Sequence, residues 1–157
     1  MEAKIGIEQK FLAKVAFELS RLLADEFTLY TKTRNAHWNV EGPHFHISHK
    51  LFEDQYELLD EAIDDVAERV RSLGHYAPAS LKDFLKLTRL SEQSLGSNDS
   101  AAFLKELLQD HETIIVTCRG NIKTFMDDYQ DAGSSDFITG LMERHEKMAW
   151  MLRSHLV

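Results

Sequence analysis

The sequence predicts an all-α protein, a four-helix bundle in which one long connection links the second and third helices. Three observations carry this. Apolar residues recur at helical spacing in four long stretches. Gly42-Pro43 and Gly74 fall between stretches, where a helix has to stop. Roughly 25 residues separate the second stretch from the third, far more than a bundle of simple hairpins uses.

The first stretch runs from about Ile5 to Thr33 and carries Phe11, Leu12, Val15, Leu19, Leu22, Leu23, Phe27 and Tyr30. Residues 34–43 are expected to leave the helix before Gly42-Pro43. A second helix spans about Phe45 to Leu73 and stops at Gly74. On a helical wheel Leu51, Phe52, Tyr56, Leu58, Leu59, Ile63, Val66, Val70 and Leu73 share one side. His49, Glu53, Glu57, Asp60, Asp64 and Glu68 occupy an arc of about 100° on the other. Within the connection 74–98, Ser80–Arg89 reads as a short extra helix with Ser80 as its cap. The third long helix starts near Asp99 and carries Phe103, Leu104, Leu107, Leu108, His111, Ile115, Cys118, Ile122, Phe125 and Met126. The segment DDYQDAGSS breaks it. The last helix, about Asp136 to Leu156, packs through Ile138, Leu141, His145, Met148, Ala149 and Leu152. A bundle with this crossover is the ferritin-like arrangement.

At 157 residues the chain is expected to form a single domain, 1–157. One cysteine, Cys118, excludes an internal disulfide and suits a reducing compartment. No apolar run approaches the roughly 20 residues that span a bilayer, so no membrane partner is expected. The opening MEAKIGIEQK lacks the pattern of a secretory signal. A cytoplasmic location is the simplest expectation. A net charge of −8 opposes nucleic-acid binding and suits a protein that gathers cations.

Chemistry concentrates in His37–Glu68. Four of the eight histidines fall between positions 37 and 49, followed by carboxylates at helical spacing. Imidazole and carboxylate together suit iron, zinc or manganese. His49 and Glu53 stand at i,i+4 and project from one helix face, and Asp64 and Glu68 repeat the spacing. The 15 residues between His49 and Asp64 cover about 22 Å of helix. Metal–ligand bonds are about 2 Å long, so one helix cannot bring both pairs to one ion. An antiparallel copy across a two-fold axis can, with His37 swinging in from the approach to the helix. The plainer alternative is a solvated acidic face with capping or surface histidines.

His37-Trp38-Asn39, Gly42-Pro43-His44-Phe45, His49, Glu53, Asp64 and Ala67-Glu68-Arg69 together resemble the Dps family, the mini-ferritins that protect bacterial DNA. The helix order and the closing His145–Arg153 are similar as well. The resemblance implies a shell of twelve four-helix subunits with a ferroxidase site between two-fold-related copies. His37, His49 and Glu53 would come from one copy, and Asp64 and Glu68 from its partner. Most members have Asp where this chain has Glu53. The family oxidises Fe(II), preferring hydrogen peroxide, and stores Fe(III) mineral inside. Trp38 matches a family tryptophan thought to donate electrons, with interface packing as its other reading. Asp128, Asp131 and Asp136 fall in the region that lines iron-entry pores, although Asp136 as a helix cap fits equally. His44 and His46 read as surface residues or accessory ligands, the former first, and His111 and His145 as hydrogen-bonded core or interface groups.

Three other readings compete. A conventional in-bundle di-iron site needs helical Glu-x-x-His, and the match Glu41-Gly-Pro-His44 cannot be helical. A DNA-compacting structural protein of this kind would use basic tails. Only Met1–Lys4 precedes the first helix and only Ser-His-Leu-Val follows Arg153, so direct DNA binding at neutral pH is not expected. A magnesium bridge, or histidines charged at low pH, would relax that. The last reading is a zinc- or manganese-loaded bundle without redox chemistry.

Overall fold

Gly6, at φ +84°, turns the chain just before the first helix, which begins at Gln9 rather than at Ile5. The computed structural model describes residues 2–92 and 96–157. Among these residues five α-helices follow one another: α1 (Gln9–Asn39), α2 (Phe45–Ser72), α3 (Leu81–Leu87), α4 (Ser100–Lys123) and α5 (Ala132–Ser154). Helix α1 packs along α2 and α4 along α5, while α3 lies across α1. The fold is the predicted all-α bundle with a short helix in the crossover.

The apolar stripes meet in one core. Leu12, Val15, Leu19, Leu22 and Leu29 of α1 join Phe52, Leu59, Val66 and Val70 of α2, Leu107 and Ile114 of α4, and Ile138, Leu141 and Leu152 of α5. Leu58, expected on the packed side of α2, is 42% exposed. It lies with Leu51, Met148 and Met151 along a groove between α2 and α5.

Two helix ends differ from expectation, and both matter for the chemistry. Helix α1 continues through 34–39, because Leu29, Thr33, Ala36 and His37 extend its buried stripe by another two turns. His37 is therefore a helical residue and not part of a loop. At the other end of the bundle, α4 runs into a π-helical turn, Thr124–Asp128, and Gln130 then takes φ +57°. Asp131, not Asp136, caps α5, so AGSS forms the first helical turn. Asp131 Oδ1 accepts from the Ser134 backbone N–H at 2.8 Å, and Oδ2 from the Ser134 hydroxyl at 2.6 Å. Ser80 caps α3 as expected, accepting from Asp83, and Asp99 caps α4, accepting from Ala102.

Buried ionic groups hold the crossover in place. Asp25 of α1, 1% exposed, accepts from the Arg89 backbone N–H at 2.6 Å and from Arg89 Nε at 2.7 Å. Lys32 reaches Asp110 at 2.5 Å, Glu106 at 3.0 Å and the Ser91 carbonyl at 2.8 Å. Burial raises the Asp110 carboxyl above its usual range, against the opposing pull of the Lys32 ammonium.

Candidate metal centre

The end of α1 and the start of α2 meet through a pair of histidines. His37 Nδ1 lies 2.9 Å from the His49 carbonyl, and His49 Nδ1 lies 2.8 Å from the His37 carbonyl. A carbonyl only accepts, so both imidazoles carry their proton on Nδ1. Each Nε2 is left with a free lone pair, the form in which imidazole binds a metal. The His37 carbonyl is one of the last of α1, and His49 satisfies it where the helix no longer can. The two rings stack with centroids 3.8 Å apart and 21° between planes. His37 is buried and His49 half-buried.

Glu53 stands one turn beyond His49. Its carboxylate bonds Lys50 Nζ at 2.7 Å, and this ammonium holds it below the usual carboxylate range. Lys50 also reaches Asp54 at 3.0 Å, and the two acids raise its pKa. The hinge between the helices is tied down separately: the Glu41 N–H donates to the Asn98 carbonyl at 2.9 Å, and Gly42 takes φ +106°.

Asp64 and Glu68 project into solvent from the far half of α2. Among the described residues no three His, Cys, Asp or Glu side chains of one chain converge as a metal-holding group. His37 and His49 come together, with Glu53 one helical turn beyond His49; Asp64 and Glu68 do not join them within the chain.

The other expected residues divide. Trp38 is 66% exposed, beside His37. His44 and His46 are exposed. Asp128 and Asp136 face solvent, but Asp131 is 1% exposed. It serves as the α5 cap and as the acceptor for Arg69 Nη2 at 3.4 Å, so its carboxylate is not offered to a pore. Arg69 also donates to the Ser134 hydroxyl from Nε at 3.1 Å and Nη2 at 3.0 Å. A methyl group at Gly133 would stand 3.0 Å from that guanidinium.

A second polar cluster lies in the bundle interior. His111 and His145, both fully buried, approach Nδ1 to Nδ1 at 2.9 Å, and His145 Nε2 lies 2.8 Å from Glu26 Oε1. The carboxylate accepts from His145 Nε2–H, so neutral His145 accepts on Nδ1 from His111. This leaves His111 Nε2 and Glu26 Oε2 without partners among the described residues. Burial, and then the neighbouring His145, push the His111 pKa well below its usual value. Glu26 escaped the sequence reading, although it falls on the stripe Leu19, Leu22, Leu29, where an acid needs a buried partner.

Comparison with known proteins decides the family. Residues 18–157 match the ferritin family through its ferritin-like domain. A "DNA protection during starvation protein" of Helicobacter pylori is 33% identical over 141 residues, covering 88% of this chain and 95% of that protein. The chain belongs to the Dps family of ferritin-like proteins. An uncharacterized low temperature-induced protein of Nostoc is 43% identical over 152 residues, 97% of this chain and 85% of that protein. Among solved structures, the Dps protein of Vibrio cholerae O1 superposes with a TM-score of 0.93 at 28% identity. That match covers 99% of this chain and 97% of the other, which is described as a member of a broad superfamily of ferritin-like diiron-carboxylate proteins. The helices that carry His37 and His49 are parts of one bundle. Among the described residues no helix is long and apolar enough to cross a membrane.

Proposed function

We propose that this chain is an iron-sequestering ferroxidase, working as a homo-oligomeric shell of twelve copies. It oxidises Fe(II), preferably with hydrogen peroxide, and stores the Fe(III) mineral in the hollow interior. The observation that carries the reading is the reciprocal bonding of His37 and His49, which prepares two Nε2 donors one helical turn from Glu53. Asp64 and Glu68 of a two-fold-related copy complete the ligand set, since the helix keeps them about 22 Å and about 28 Å from His49 within one chain. Fe(II) is the substrate. The histidines and Glu53 bind and orient it, and carboxylates from the partner balance the charge of the ferric product. Asp128 and Asp136 are the acids left exposed for a cation-entry pore. Trp38 packs against the partner copy at the rim of the site.

DNA and the cell are protected because Fe(II) and peroxide are consumed together without releasing hydroxyl radical. The whole chain acts as one domain in the cytoplasm. Direct DNA binding is not part of the reading, given the charge of −8.

The test adds Fe(II) anaerobically to metal-free protein, then hydrogen peroxide, and follows ferric absorbance in wild type and in His37→Ala/His49→Ala. Fast oxidation to a soluble ferric core, lost in the double variant, is expected. Precipitated ferric hydroxide at the protein-free rate in both would overturn it. Zinc or manganese retained through chelation, with no iron oxidation, would instead favour a non-redox site.

A further inference from the structure

Arg34 lies one turn before His37 on α1, and its guanidinium is held by rings. Its Cζ stands 4.3 Å from the Tyr56 ring centroid, 5.1 Å from Trp38 and 5.7 Å from Tyr30. No carboxylate among the described residues lies within ion-pair distance of it. Tyr56 comes from α2 and meets His37 edge-on, with centroids 5.2 Å apart at 79°. Tyr30 stands behind Tyr56 at 6.2 Å, again edge-on at 88°. Both tyrosines are half-buried, whereas Trp38 is 66% exposed.

This arrangement bears on a problem of electron count. Hydrogen peroxide takes two electrons when its O–O bond breaks to give water. A site holding one Fe(II) supplies only one, and the shortfall would release a hydroxyl radical. Two oxidisable side chains, Trp38 and Tyr56, adjoin His37. An indole that loses an electron first becomes a cation, and here that cation would form beneath a guanidinium. A phenol that loses its electron together with its proton becomes a neutral radical, which that charge does not oppose. Arg34 thus selects between the two donors.

We propose that Tyr56, rather than Trp38, supplies the second electron when peroxide meets a singly occupied site, with Tyr30 as the next holder of the radical. The proposal rests on the ferroxidase reading above. Fe(II) and the phenol give one electron each. Peroxide takes both, with the phenol proton and one proton from solvent, and its O–O bond breaks. The products are Fe(III), a neutral phenoxyl radical and two waters. Arg34 is a positioning residue in this scheme, since it touches the rings and not the metal.

The experiment mixes the assembled protein, carrying less than one Fe(II) per chain, with hydrogen peroxide and freezes it within milliseconds. Electron paramagnetic resonance on protein with ring-deuterated tyrosine identifies the radical, and a spin trap reports hydroxyl radical. A tyrosyl signal is expected in wild type and in Trp38→Phe. In Tyr56→Phe, which keeps the ring packing, the signal disappears and trapped hydroxyl radical rises. Arg34→Gln is expected to move the radical towards Trp38. A tyrosyl signal unchanged in Tyr56→Phe, or a tryptophanyl signal lost only in Trp38→Phe, would overturn the proposal. Iron oxidation with no protein radical would overturn it while leaving the ferroxidase reading intact. Wild-type protein that fails to oxidise iron at all would remove both.

Discussion

Glu53 is an acid with two claimants. Lys50 occupies its carboxylate, and the metal position proposed at His37 and His49 would draw on the same group. An exposed ion pair of this kind competes weakly, so Lys50→Ala is expected to tighten Fe(II) binding by no more than about fivefold. Anaerobic titration calorimetry would measure this, and weaker binding in the variant would show that Lys50 assists the site. His111 presents the opposite situation, a base kept neutral by burial. Its folded pKa lies below the unfolded value of about 6.5, so its contribution to stability is fully present above that pH. As pH falls through 6.5 the unfolded chain takes up a proton that the folded chain refuses. Wild-type stability relative to His111→Gln should therefore fall by about 1.4 kcal/mol per pH unit below 6.5. Urea unfolding at several pH values would test this, and a difference independent of pH would show that folded His111 charges freely. Cys118 nearby is fully buried, which pushes its thiol up to about 12 and leaves it an inert packing residue.

Helix ends are where individual elements gain or lose their definition. Asp131 satisfies the first turn of α5 and at the same time receives Arg69 from the end of α2. Asp131→Ala removes both interactions and should cost about 2 kcal/mol, read as a lower urea midpoint. A loss as large in Asp136→Ala would show that the cap had been placed wrongly. Asp136 is exposed in the second turn and should change stability by less than about 0.5 kcal/mol. If Asp128 and Asp136 line the proposed pore, replacing either is expected to slow iron uptake, whereas replacing Asp131 acts through folding.

For the molecule as a whole, the crossover is the structurally demanding part. It must lie against α1, and it does so through Phe84, stacked 4.5 Å from Phe27, and through Arg89 on buried Asp25. Arg89→Ala leaves that carboxylate buried without its cation and should cost about 3 kcal/mol. Thermal unfolding would report it, and a neutral result would mean that solvent reaches Asp25. The whole-molecule charge predicts a second outcome. Purified protein at pH 7.5 in moderate salt, without added metal, should not retard plasmid DNA, because −8 per chain repels phosphate. A shifted band would point to a local basic surface that the net charge conceals.

Periodicity and spacing alone are enough for the four long helices, the short one in the crossover, and the placing of His49 and Glu53 on one helix face. Each of these is a local property: a stripe repeats every 3.6 residues, a cap stands next to its helix, and i,i+4 places two side chains on one face. The continuation of α1 through His37 was harder to read, because polar TRNAHWN hides a stripe that only packing against α2 makes apolar. Asp131 caps α5 through local bonds to Ser134, but its other partner, Arg69, stands 62 residues away in the chain. Glu26 and His145 are 119 residues apart, and only the folded bundle brings them to 2.8 Å. The tautomers of His37 and His49 are also set by tertiary contact, since each ring is oriented by the other's carbonyl. Pairings of this kind depend on which surfaces meet, and helical spacing in one segment carries no information about its distant partner.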